Sequence, residues 1–174
     1  MQLKRNASSA VSCEPGLVYE IVSDYGAYQQ WLPGIASSKV LAQEINFAIV
    51  ELEFVAKPGV KVTVECVHAP TQMVVARSLI GNHPELKLEW KIRPAESGQA
   101  QVTLAITAPL NFGFLFGGYS GFFNPKKGLA GLMGTLAAFG GGPSGGEKVI
   151  EISETEEGLI CWYRGTKYQM KEMS

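Results

Sequence analysis

An α+β fold is what this sequence predicts: seven antiparallel strands, two short helices after the first of them and one long helix after the last. Three observations point there. Residues 35 to 108 alternate apolar and polar side chains with period two, residues 14 to 26 carry apolar side chains at helical spacing, and residues 125 to 139 show a second, longer helical stripe. A chain of 174 residues with 46% hydrophobic content fits one domain with a core of its own and a small appendage.

The first strand is expected over residues 3 to 12. Behind it Leu17, Val18, Ile21, Val22 and Tyr25 recur at helical spacing, and Pro15 suits a first helical position, where a missing N–H costs no intrahelical bond. Asp24 reads as the cap of the second short helix rather than as an acid. In the alternating region Ala48, Val50, Leu52 and Phe54 share one face, as do Val60, Val62 and Val64, and then Leu86, Leu88, Trp90 and Ile92. Turn residues at Lys57-Pro58-Gly59, Ala69-Pro70-Thr71, Gly81-Asn82-His83-Pro84 and Glu96-Ser97-Gly98 divide residues 35 to 108 into six strands. Leu129, Leu132, Met133, Leu136 and Phe139 form the stripe of the long helix. The main domain is thus expected to span residues 1–139. Residues 140–146, Gly-Gly-Gly-Pro-Ser-Gly-Gly, are a linker by composition, and residues 147–174 carry two apolar runs that predict a small hairpin, too short to hold a core alone.

Lys plus Arg total 15 against 16 for Asp plus Glu, a net charge of -1, so nucleic acid is not an expected partner. The basic start from Met1 to Ser8 has no apolar stretch behind it to make a secretory signal. Cys13, Cys66 and Cys161 are widely spaced and suit reduced thiols, so the expected location is the cytoplasm. Charged residues are only 18% of the chain, and the deficit is local: none occurs from Ser97 to Pro125 or from Gly128 to Gly146, with Lys126 and Lys127 between. Pro109, Asn111, Asn124, Pro125 and the many glycines of this region make a transmembrane helix a poor account of it.

Patterns for bond-making chemistry are missing. Gly118 to Phe122 is not Gly-x-Ser-x-Gly, and Gly140 to Gly145, although Gly-x-Gly-x-x-Gly, follows a helix and precedes a strand, the reverse of the dinucleotide-binding context. Glu51 and Glu53 lie opposite the apolar set, where they read as solvated. Cys66 and His68 share a strand face, yet zinc usually takes four ligands and no other His or Cys pair has suitable spacing. A core cysteine beside a hydrogen-bonded histidine accounts for them. No catalytic residue, metal or cofactor is assigned.

The stretch Val22-Ser23-Asp24-Tyr25-Gly26-Ala27-Tyr28-Gln29-Gln30-Trp31-Leu32-Pro33-Gly34, an Asp-aromatic pair before a short helix that ends in an aromatic, Leu and Pro, resembles the START-like superfamily, especially its polyketide cyclase/dehydrase and coenzyme-Q-binding-like branch. Gly81 and Trp90, followed by Pro94 and Gly98, are similar to that family's fifth and sixth strands. The resemblance spans residues 3 to 139. It implies a helix-grip fold, in which a curved antiparallel sheet wraps the long C-terminal helix and leaves an apolar cavity between them. The tail from Ile160 to Tyr168 separately resembles a short Tyr-Arg-Gly module of unknown function known mainly from cyanobacteria.

Within such a fold, face parity puts Trp31, Phe54, Leu88, Trp90, Leu104, Ile106, Met133 and Leu136 on the cavity lining. Phe112 and Phe116, with Phe114, Leu115, Tyr119, Phe122 and Phe123, form an apolar lid with glycine hinges, or else part of the core. Phe122 and Phe123 beside Lys126 and Lys127 suit transient docking on an anionic membrane surface, which would make the protein peripheral to the membrane. Gly128, Gly131 and Gly134 either open volume for a ligand, let the lid pack close or leave the helix poorly ordered. Arg77 shares a face with Met73, Val75 and Leu79: it is a ligand-binding candidate if that face is inward and a solvated cation if it is not.

The expected function is binding, transport or presentation of a hydrophobic small molecule: a lipid, an isoprenoid quinone or a polyketide-like aromatic. The alternatives are an aromatase-like cyclase/dehydrase using Arg77, His68 or Tyr19, and a scaffold that captures a protein partner through Trp162, Tyr163, Arg164 and Tyr168 of the tail.

Overall fold

In the computed structural model, residues 2–79, 86–109, 124–139, 150–155, 158–163 and 166–169 are described, by their backbone alone from residue 139 onward. The chain begins with strand β1 (Gln2–Val11), helix α1 (Pro15–Ser23), a 3-10 turn (Tyr25–Ala27) and the one-turn helix α2 (Tyr28–Trp31). Strands β2 (Ile35–Glu44), β3 (Phe47–Phe54), β4 (Lys61–Ala69), β5 (Met73–Ser78), β6 (Lys87–Pro94) and β7 (Ala100–Pro109) follow, and then helix α3 (Pro125–Phe139). Pro15 opens α1 as its composition suggests, but Asp24 caps nothing with its side chain. Its backbone carbonyl accepts the Ala27 N–H at 3.1 Å instead, because the chain turns there in a tight 3-10 coil.

The seven strands form one antiparallel sheet in the order β1-β7-β6-β5-β4-β3-β2, a meander whose last strand pairs with the first. Strict alternation becomes strict burial: on β3 Ala48, Val50, Leu52 and Phe54 are buried while Phe47, Ile49, Glu51 and Glu53 are only half covered. The register carries this parity across the sheet, since Trp90 of β6 lies opposite Val74 of β5 and Leu104 of β7, all three buried. A one-residue slip would turn each of these sets out to solvent, and that fixes the pairing. The Lys57-Pro58-Gly59 turn closes with the Val60 N–H on the Lys57 carbonyl at 3.2 Å, and Gly59 supplies the positive φ of 82° that a side chain resists.

Helix α3 lies over β1 and β7 and against α1 and α2, so sheet and helices enclose one core. Asn124 starts it, its Oδ1 accepting the backbone N–H of Lys126 at 3.1 Å and of Lys127 at 3.4 Å. A Cβ added to Gly128 would sit 2.5 Å from Leu104 Cδ2 and 3.6 Å from Leu32 Cδ1. The missing side chain at this position is therefore filled by Leu104 and lets α3 approach the sheet; it does not open room for a ligand. Past the helix, β8 (Ile150–Thr155), β9 (Gly158–Tyr163) and β10 (Thr166–Gln169) form a three-stranded antiparallel sheet in the order β10-β9-β8, with β8 and β9 alongside α3. The expected hairpin thus gains a third strand, whose four residues are too few to show a period. The Gly81 to Pro84 turn and the Gly140 to Gly146 linker lie outside the described residues.

Candidate ligand-binding site

The inner face of the sheet carries the strand side chains that parity selects. Phe54, Leu88, Trp90, Leu104 and Ile106 are buried there, Trp31 of α2 is buried with them in the same core, and Met133 and Leu136 of α3 are half-buried against it. Arg77 is not among them. Its guanidinium points outward, 63% exposed, and pairs with Glu65 at 2.7 Å, the residue opposite it in the register. Burial of Val74 and Ala76 puts Met73, Val75 and Arg77 on the outer face, so the reading of Arg77 as a ligand-binding residue is corrected: a lone guanidinium inside an apolar core would cost several kcal/mol. Phe112, Phe116, Phe122 and Phe123, with Phe114, Leu115 and Tyr119, lie outside the described residues. Lys126 is exposed and Lys127 half-buried in the first turn of α3. Of the tail residues, Trp162 and Tyr163 fall on β9 and Tyr168 on β10, and Arg164 lies outside the described residues.

Among the described residues the buried polar side chains, apart from tyrosine and tryptophan, are His68 and Thr135. Both are satisfied. Thr135 donates back to the Gly131 carbonyl at 3.0 Å. His68 Nε2 lies 2.7 Å from the Ile45 carbonyl, which can only accept, so Nε2 carries the hydrogen and the bare Nδ1 accepts the Tyr25 hydroxyl at 2.8 Å. Tyr28 donates to the Val22 carbonyl at 2.6 Å. Burial, reinforced by the neighbouring Cys66 and Tyr19, pushes the Tyr25 hydroxyl far above the ordinary tyrosine range, and burial lifts the Cys66 thiol to about 12. Both therefore stay protonated at neutral pH. Cys66 and His68 are the core pair their spacing suggested, with both imidazole nitrogens committed.

An aromatic chain runs from this pair into the middle of the sheet. Ring centroids lie 6.1 Å apart for His68 and Tyr25, 5.7 Å for Tyr25 and Tyr28, 5.4 Å for Tyr28 and Trp31 and 5.6 Å for Trp31 and Trp90. At its far end the pattern of satisfied donors stops: Trp31 Nε1 and Trp90 Nε1 are buried and have no hydrogen-bond partner among the described residues. A buried donor left unmade costs about 1–3 kcal/mol. Strand parity placed the Trp90 ring inside, but a period of two carries no information about the partner of an N–H.

The outer face is built from charges. Lys61 pairs with Glu51 at 2.8 Å, and Glu89 sits between Lys87 and Lys91, the latter at 2.9 Å. Lys4, Asn6, Lys87, Glu89, Lys91, Thr103, Ala105 and Thr107 line a groove of about 140 Å³ there, too polar for a hydrophobic molecule. Among the described residues no three His, Cys, Asp or Glu side chains come together as a metal-binding set, and no helix is long and apolar enough to cross a membrane.

A seven-stranded antiparallel sheet closed by a C-terminal helix over a neutral inner face defines a helix-grip, START-like protein. Residues 11–124 match the profile of the polyketide cyclase/dehydrase and lipid transport family, well over half of the chain, and the protein belongs to that family. Its fold is similar to that of an aromatase/cyclase from Streptomyces sp. R1128, with 16% identity over 79% of this chain and 86% of that one, at a TM-score of 0.54. It is similar also to a START superfamily protein from Mycobacterium smegmatis (16% identity, 78% and 98% covered, TM-score 0.57). A STAR-related lipid transfer protein from Xanthomonas axonopodis gives 15% identity, 77% and 85% coverage and a TM-score of 0.57. These likenesses concern the fold. No curated protein matches the sequence.

Proposed function

We propose that this protein binds a hydrophobic small molecule between the inner face of the sheet and α3, and carries or presents it without making or breaking bonds. One observation carries the reading: among the described residues, the buried acid–base groups on that face are already used up. His68 is held at both nitrogens, Tyr25 is spent on His68, Cys66 remains a thiol, and Arg77 lies outside. Apart from the Trp31 and Trp90 N–H groups, what the described inner face has left to offer is apolar area, worth roughly 0.8 kcal/mol for each ligand methylene it buries. Membership in a family that includes lipid transport supports the same reading. The family also includes cyclases and dehydrases, and a cyclase-type reaction is the second reading. It would have to release Tyr25 or His68 from its present partner, since a general acid or base must reach the proton it moves.

Native mass spectrometry of the full chain purified from its own cells, with extraction and identification of what leaves it, tests the proposal. A stoichiometric apolar molecule that is released unchanged is expected. A chain that emerges empty and takes up no lipid, quinone or polyaromatic probe, or one that returns its ligand cyclised or dehydrated, overturns it.

A further inference from the structure

On the outer face, β1, β7 and β6 set polar side chains around one small residue. Ala105 is the middle position, with Asn6 of β1 on one side of it in the register and Glu89 of β6 on the other. Two residues along β7 in either direction stand Thr103 and Thr107, on the same face because side chains alternate. Thr107 lies between Lys4 and Lys87, and Thr103 lies beside Lys91. Ala105 is the shortest side chain of this set, so the surface dips above it, and that dip is the groove of about 140 Å³.

The charges around the dip do not balance. Three ammonium groups line it against one carboxylate, whereas on the neighbouring strands Lys61 and Arg77 each meet an acid, Glu51 and Glu65. Glu89 is bound on both oxygens, by Lys87 at Oε2 and by Lys91 at Oε1. It therefore holds two lysine side chains at the rim, and each ammonium has three N–H donors of which Glu89 takes one. Holding them in advance removes part of the ordering cost that a ligand would otherwise meet. Lys4 has no acid among the described residues, and the Asn6 amide and the Thr107 hydroxyl spend no hydrogen bond on the protein there. Two positive charges and a set of unspent donors thus converge on one small concave place.

A carboxylate would answer only one of those charges. A phosphomonoester group carries nearly two near neutral pH and offers three acceptor oxygens. We propose that this groove is a second binding site, on the opposite face of the sheet from the first, and that it takes a phosphomonoester dianion through Lys4, Lys87 and Lys91, with Asn6 and Thr107 donating to the same group. The proposal does not depend on what the inner face binds. A free phosphorylated small molecule and a lipid headgroup present the same chemistry, and experiment separates them.

The test titrates the full chain, labelled with nitrogen-15, with methyl phosphate and with methyl sulfate, which has the same tetrahedral shape and one charge, at matched ionic strength. At about pH 7.5 methyl phosphate should bind about fivefold more tightly than methyl sulfate, and acid should erase that preference as the phosphate passes its second ionisation at about pH 6. The amide resonances of Asn6, Glu89, Ala105 and Thr107 should move together on one saturable curve while those of Val50 and Leu52, inside the core, stay in place. Lys4→Gln should weaken binding about threefold, and Ala105→Leu, which fills the dip, about tenfold. Urea midpoints show whether each variant is folded, and the comparison of the two anions on the unaltered chain needs neither. Sedimentation with phosphatidylcholine vesicles containing phosphatidic acid reads the source: co-sedimentation that Lys4→Gln weakens assigns the group to a headgroup, and methyl phosphate binding without co-sedimentation assigns it to a free molecule. Resonances that follow ionic strength alike with chloride and methyl phosphate overturn the site. Equal affinity for the two methyl esters at about pH 7.5 overturns the dianion, and methyl phosphate binding untouched by Lys4→Gln or by a folded Ala105→Leu overturns the place.

Discussion

The two faces of the sheet meet the same requirement, partners for polar hydrogen atoms, by opposite means. On the outer face Arg77 meets Glu65, Lys61 meets Glu51 and Glu89 is shared by two lysines, all with water at hand to replace any contact that breaks. On the inner face water is shut out, so Tyr25, Tyr28, His68 and Thr135 each need a partner fixed by the fold. A polar group costs little to rearrange outside and much to strand inside. The same residue type therefore carries information about function singly on the inner side, where a donor left over, as at Trp31 and Trp90, is the feature to explain, and only in company on the outer side, as around Ala105.

If this contrast is right, the largest single loss of stability comes from emptying the inner face. Trp90 is fully buried between Val74 and Leu104 and touches Trp31. Trp90→Ala should lower unfolding stability by about 3–5 kcal/mol, read from urea denaturation midpoints at an unchanged slope. A loss under about 1 kcal/mol would mean that the inner face is loosely filled and would break the comparison.

Tyr25→Phe sharpens it, because it keeps the ring and takes away one hydroxyl. His68 Nδ1 then loses its donor, and a cost of about 1–3 kcal/mol is expected at neutral pH. The alkaline limb gives a second reading. Tyr25 and Cys66 are acids whose folded-state values are raised by burial, Cys66 from 9.0 to about 12, so the unfolded chain releases protons that the folded one keeps. Stability is full below the unfolded values and falls as pH climbs from 9.0 toward about 12. That fall should be shallower in Tyr25→Phe, measured as urea midpoints across the alkaline range. An unaltered slope would show that Tyr25 ionises freely and is not sealed in.

The sheet was legible in the sequence because period two is dictated by the backbone itself: Ala48 to Phe54 could bury one face only, and their alternation says which. The same rule placed Trp90 and Leu104 inside, whereas Trp31, also buried, lies on the one-turn helix α2, where a period of two does not apply. It failed to decide Arg77, since Met73 and Val75 are as apolar as Val74 and Ala76, and only pairing with Glu65 across the register selects the face. The Tyr25–His68 link joins residues 43 positions apart, and no local pattern encodes it. Asn124 was readable and missed: an Asn before a Pro at the start of an apolar stripe is a helix-start signal, and it caps α3. For Gly128 the sequence leaves ligand room, close packing of the lid and a poorly ordered helix open together, because what decides is Leu104 on another element.

The smallest effect belongs to the outer face, and it tests the contrast from the other side. Lys87 and then Lys91 hold the Glu89 carboxyl below its ordinary value of 4.5. A depressed carboxylate contributes stability above its unfolded value and loses that contribution as pH falls through the folded one. Glu89→Gln should therefore cost under about 1 kcal/mol near pH 7, and the variant and the unaltered chain should converge as pH drops below 4.5. Salt should narrow the gap in the same way, because the lysines on either side are about half exposed and ions screen what water reaches. Midpoints of urea unfolding at neutral and acid pH, with and without added salt, read both trends. A gap that widens in acid, or one as large as that of Tyr25→Phe, would mean that Glu89 is held by the fold as firmly as the inner donors are, and the division between the two faces would no longer stand.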